Sequence, residues 1–167
     1  MKRHEGFTLI ELLITITIMV ILLGLTVVNL RSSQATARDE ERKTDVNIIA
    51  RHLEVFYDSG TDDGATDVLA RYPSTSVMDT EAEVKATLRD IDTKALRAPG
   101  IAETSSMSLG VAANTSAQNP TINQYIYQPV DRDGVLCTAE TVDCLGYTLY
   151  YKLEGDAAVQ KITSKHQ

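Results

Sequence analysis

GFTLIELLITITIMVILLGLTVVNL, Gly6 to Leu30, carries a single charged side chain, Glu11. From Leu12 to Leu30 nineteen residues follow without a charge. At about 1.5 Å per helical residue that run approaches the roughly 30 Å hydrocarbon thickness of a bilayer, so it reads as a membrane-spanning helix. Ahead of it stands MKRHEG, with Lys2 and Arg3. Basic residues stay on the cytoplasmic side, which places everything after Leu30 on the outer side. A cleaved secretory signal would put a small-residue site after a shorter apolar run. Here the small residue, Gly6, comes first, and Leu25 to Ser33 offers no A-x-A-like site. The helix is therefore expected to persist in the mature chain.

Glu11 separates a plain anchor from something more specific. A carboxylate in an apolar span costs a few kcal/mol even on the gentler insertion scales, and it calls for a partner. No lysine or arginine lies one helical turn away. A cut after Gly6 would create an α-amino group on Phe7, one turn before Glu11, and the amine of a neighbouring subunit could serve equally. On this reading the charge makes sense only in an assembly.

The run GFTLIELL, Gly6 to Leu13, resembles the class III signal of type IV pilins and pseudopilins. The resemblance implies a prepilin peptidase that cuts between Gly6 and Phe7 and methylates the amine of Phe7, and it implies that Glu11 guides docking into a filament. Loss of Lys2, Arg3 and Glu5 with the leader would take the formal charge from −7 to −8. Many members of that family have a proline within the apolar helix. This span has none, and Gly24, costing about 1 kcal/mol relative to alanine, is its one weak point.

Beyond the span the helix continues. Val46, Ile49, Leu53 and Phe56 recur at the three-and-four spacing of an amphipathic helix, and no proline or glycine interrupts residues 31–59. The mixed charges from Arg38 to Asp45, Asp39 and Lys43 among them, read as a solvated or subunit-facing surface. ARDEERKTDVNIIARHLEVFYDSG, with Tyr72-Pro73 further on, also resembles the corresponding helix of type IVa pilins and major pseudopilins. Asp58 to Asp67, DSGTDDGATD, reads as an acidic solvated loop. Thr80 and Glu83 form a capping box before a short helix faced by Val84, Leu88 and Ile91. Residues 96–123 read as loop, with Asn114-Thr115-Ser116 formally a glycosylation sequon. Strands are expected at Gln124 to Val130, Tyr147 to Leu153 and Ala157 to Ile162, with Tyr147, Leu149, Tyr151 and Leu153 on one face covering the helix stripe.

The expected fold class is α+β, a long N-terminal helix packed on a small antiparallel sheet, as in the pilin fold. Residues 1–6 form a leader, 7–30 the membrane or filament-core half of the helix, 31–59 its amphipathic half and 60–167 the head. Cys137 and Cys144 bracket a short polar loop, and in an exported head they are expected to form a disulfide. Asp131, Asp133 and Gly134 echo part of a calcium loop but read as an ordinary turn.

A net charge of −7 without a long basic run argues against direct nucleic-acid binding. His4, His52 and His166 are scattered, which leaves no base for a nucleophile and no ligand set, so neither an enzyme, a cofactor nor a metal site is expected. The resemblance implies a structural subunit held as a single-pass cytoplasmic membrane protein and then polymerised into an extracellular filament. Its partners would be identical or homologous pilins, the prepilin peptidase, and an inner-membrane assembly platform driven by an ATPase. A pseudopilin of a type II secretion or competence DNA-uptake system shares the same processing. A monomeric membrane-anchored extracellular binding domain is the reading of a different class, in which Glu11 has no purpose.

Overall fold

The computed structural model describes residues 7–59, 70–102 and 104–166, without the side chains of residues 26–29. Helix α1 runs without a break over Leu9–Ser59. The chain divides into two compact units, residues 1–37 and 38–167, so α1 contributes to both. By length and composition α1 is able to cross a membrane, and none of its apolar window is buried.

In the second unit a sheet of four strands, β1 (Leu109–Val111), β2 (Tyr125–Val130), β3 (Gly146–Lys152) and β4 (Val159–Thr163), is ordered as numbered. Strands β2, β3 and β4 form the expected antiparallel meander, with Tyr127 opposite Leu149 and Leu149 opposite Ile162. The sheet is nevertheless mixed, because β1 pairs with β2 in parallel. Three residues, Leu-Gly-Val, are too few to show a period of two, so this strand was hidden in a stretch that reads as loop. The fold class stands, α+β with a long N-terminal helix and a small sheet downstream.

The core forms where the two periodicities meet. Val46, Ile49, Leu53 and Phe56 of α1 are buried, and so are Tyr147, Leu149 and Tyr151 of β3 and Tyr125 and Tyr127 of β2. Short helix α2 (Glu81–Thr87) begins at the Thr80–Glu83 capping box and contributes Val84, with Leu88 just beyond its end. Buried tyrosines need partners for their hydroxyls. Tyr72 and Tyr147 both donate to Glu54 of α1, at 2.9 and 3.0 Å, Tyr125 donates to Asp45 at 3.2 Å, and Tyr127 to the Pro73 carbonyl at 2.7 Å.

The charged segment of α1 corrects the reading of a solvated surface. Arg42 is only 1 % exposed, and Asp39 and Asp45 are buried. Arg42 donates to Asp39 at 2.9 Å and to the Ile122 carbonyl at 2.9 Å, and pairs with Glu154 at 2.8 Å. Arg38 clasps both oxygens of Glu154, at 2.6 and 2.7 Å. Asp39 in turn accepts the backbone N–H groups of Glu154 and Gly155 at 2.8 and 2.9 Å, while Lys43 pairs with Glu40 instead of Asp39. The stripe spacing carried back from Val46 lands on Arg42 and Asp39. Those positions are buried, where Arg42 and Asp39 neutralise each other and Glu154, more than a hundred positions away, brings a second carboxylate to Arg42 and its backbone N–H to Asp39. Hydrogen bonds from Arg38 hold the Glu154 carboxyl down at about 2, whereas burial pushes Asp45 up to about 7 despite the Tyr125 hydroxyl.

Candidate processing and assembly site

Spacing T-L-I-E builds the start of α1. Thr8 precedes the first helical residue, Leu9, and Glu11 is the third residue inside. The Thr8 backbone N–H donates to Glu11 Oε2 at 2.9 Å, the Thr8 hydroxyl donates to the same oxygen at 2.9 Å, and the Glu11 N–H donates to Thr8 Oγ1 at 3.3 Å. This reciprocal pair is a capping box, in which two donors orphaned at a helix start find acceptors. The box gives Glu11 a hydrogen-bonding role at the helix start within the single chain. Both Thr8 donors are uncharged, so the box satisfies hydrogen bonds and leaves the carboxylate without a counter-charge among the described residues. Phe7, directly before the cap, is 87 % exposed. Gly6, Lys2 and Arg3 lie outside the described residues.

From Leu9 to Leu25 every large apolar side chain on α1 is more than half exposed. Burial of apolar surface is worth about 25 cal/mol per Å², and soluble chains rarely leave so long a patch open, so this segment requires lipid or other protein around it. The hydroxyls of Thr15 and Thr17 donate to the carbonyls of Leu12 and Leu13 at 2.9 and 2.7 Å, which hides two polar groups against the helix backbone. At Gly24 no atom stands within 4 Å of the place a side chain would occupy, so packing within the chain does not demand a glycine there.

Cys137 and Cys144 are brought together in the core of the second unit, both buried and both as free thiols in this structure. Burial raises each thiol above its usual range, and each interacts with the other. Backbone bonds frame them, Tyr72 N–H to the Cys144 carbonyl at 2.8 Å and Thr75 N–H to the Cys137 carbonyl at 3.0 Å. Next to them, Asp131 Oδ1 accepts the N–H groups of Asp133 and Val135 at 2.9 and 2.8 Å, and Gly134 has φ +75°. That is a hydrogen-bonded turn, with the carboxylate spent on its own backbone. Most of the acidic stretch Asp58 to Asp67 falls outside the described residues.

The histidines remain apart. His52 is half-buried on α1, His166 stacks on Tyr57 at 4.2 Å with Nε2 3.7 Å from Glu54, and His4 lies outside the described residues. Among the described residues no three His, Cys, Asp or Glu side chains are grouped to hold a metal ion. Sequence reasoning missed Arg42, Glu54 and Glu154. Arg42 was traceable from the helix stripe, while Glu54 and Glu154 leave no local pattern.

Residues 1–27 match the family model described as the prokaryotic N-terminal methylation motif, the class III signal of type IV pilins and pseudopilins. No curated protein and no solved structure matches the chain.

Proposed function

We propose that the chain is a pilin, a structural subunit that is cut between Gly6 and Phe7, methylated on Phe7 and polymerised through the first half of α1 into a type IV pilus on the cell surface. The methylation motif supports processing by a prepilin peptidase and anchoring in the membrane before assembly. One observation carries the reading further. Among the described residues, an uncovered apolar segment begins at a carboxylate whose hydrogen bonds are met and whose charge is not.

In a filament both needs are answered at once. Neighbouring helices cover the apolar side chains, and the cationic amine of Phe7 neutralises Glu11 in the same chain or the next. The head contributes no chemistry on this reading. Its folded core and ion network hold a surface that the fibre displays, with Cys137 and Cys144 joined after export. Assembly then depends on partners of the same class, a peptidase, a membrane platform and its ATPase. A pseudopilin would share the processing and the helix.

The test is direct. Surface filaments sheared from cells should contain this chain, beginning at Phe7 with one added methyl group by intact mass and N-terminal peptide analysis. Gly6→Leu should leave full-length protein in the membrane. A mature protein that retains Lys2 and Arg3 would refute the processing. Processed chain that never leaves the membrane would refute the filament.

A further inference from the structure

Strand β4 closes one edge of the sheet, and its open side carries a defined set of unsatisfied groups. The Ser164 N–H donates to the Tyr147 carbonyl at 3.0 Å, so Ser164 opposite Tyr147 is a hydrogen-bonded pair. Antiparallel pairs alternate, and the register sets Leu149 opposite Ile162 and Tyr151 opposite Gln160 as the next bonded pairs. Val159, Lys161 and Thr163 therefore aim their N–H and C=O groups away from β3. No other backbone hydrogen bond among the described residues uses them.

Charge at this edge departs from that of the chain. The formal net charge is −7, yet the side chains of Lys152, Lys161 and Lys165 have no ion pair or side-chain hydrogen bond among the described residues. Lys161 stands opposite Tyr150 and Lys152 opposite Val159, so both lysines share the sheet face turned from the core. Of the acids nearby, Glu154 is clasped by Arg38 and Arg42, whereas Asp156 accepts only from uncharged donors, the Ala158 N–H and Gln160, at 2.8 and 2.9 Å, and keeps its charge.

We propose that the β4 edge, with Lys161 at its centre, is a docking site for an extended acidic peptide segment of a partner protein, which adds as a fifth strand. Edge addition gives affinity through main-chain hydrogen bonds, and alternate side chains give selectivity. An incoming strand would meet three residues that each offer a donor and an acceptor. Its acidic side chains would stand beside Lys161 on the outer face, with Lys152 and Lys165 flanking. A basic or neutral strand finds the same backbone and no such complement.

The probe is a heptapeptide alternating glutamate with valine, added to the detergent-solubilised full chain at low salt. Its counterpart alternates lysine with valine. The acidic peptide should slow amide exchange at Val159, Lys161 and Thr163, and the basic one should not. Lys161→Glu should weaken binding at least tenfold. Lys161→Pro removes the ammonium together with an N–H that points away from β3, so it should abolish binding and leave the core amides of Tyr147 and Leu149 protected. Lys85→Glu, on α2, should change nothing. Equal binding of both peptides, an unchanged affinity in Lys161→Pro with its core intact, or no slowing at the three amides at millimolar peptide would overturn the proposal.

Discussion

Glu11 has two candidate duties, and their magnitudes differ enough to be separated. As the third residue of a capping box with Thr8 it holds the start of α1, a role worth about 1 kcal/mol. As the counter-charge of an amine in an apolar filament core, its loss leaves a buried charge unpaired, at a cost of about 3 kcal/mol or more. Thr8→Ala breaks the box and keeps the charge. Glu11→Ala breaks both, and Glu11→Gln keeps hydrogen-bonding shape without charge. Each 1.4 kcal/mol is a tenfold change, so a 3 kcal/mol penalty per added subunit raises the concentration needed for assembly by about a hundredfold. The capping loss alone raises it by about fivefold. With each variant as the sole copy, filament yield should fall slightly in Thr8→Ala and to almost nothing in Glu11→Ala and Glu11→Gln. All three should insert and be cut after Gly6, since Thr8→Ala leaves the charge of the span unchanged and loss of the carboxylate in the other two eases membrane burial. The assay is sheared-filament yield beside membrane-fraction protein and cleavage state in the same cells. Equal yields from Thr8→Ala and Glu11→Ala would refute the counter-charge role and leave Glu11 as a helix cap in a simple anchor.

Further outcomes concern the head. Arg42→Met should cost about 3 kcal/mol, read as a thermal shift of roughly 10 °C, because Asp39 and Glu154 lose a buried partner, while Lys43→Met on the exposed pair should cost less than about 1 kcal/mol. Asp45 has a folded pKa of about 7, raised from the ordinary carboxylate value, so its contribution is fully present below about pH 4 and lost as pH rises through 7. Denaturant midpoints should therefore show stability falling by on the order of 3 kcal/mol between pH 5 and 8, and Asp45→Asn should flatten that slope. Glu154 runs the other way. Its carboxyl lies near 2, so the stability it lends holds at neutral pH and disappears only as pH drops towards 2, a loss that Glu154→Gln should remove from acid titrations. Finally, Cys137 and Cys144 in exported protein should resist alkylation without reductant even after denaturation, the step required because both are buried, and their bond should add about 2 to 3 kcal/mol. Labelling of both would refute the pairing.

Much of this molecule is legible in local pattern. The apolar run to Leu30, the stripe from Val46 to Phe56, the capping box at Thr80 and the alternation of Tyr147, Leu149 and Tyr151 each arise from interactions within a few residues, and each reappears in the structure. The start of the chain was the most readable part, since Gly6, Phe7 and Glu11 are ordered by a linear motif. What the sequence could not decide is what lies opposite what. Arg42 reads as surface until Glu154 arrives from the far end of the chain, and nothing local marks Glu54 as the acid on which two tyrosines and the Lys165 N–H converge. Three-residue β1 is a strand only because β2 lies beside it. Helix and strand periods come from bonds and contacts along the chain and so are written locally. The neutralising of a buried charge and the pairing of a short strand depend on groups far apart in sequence, which only the packed head brings together.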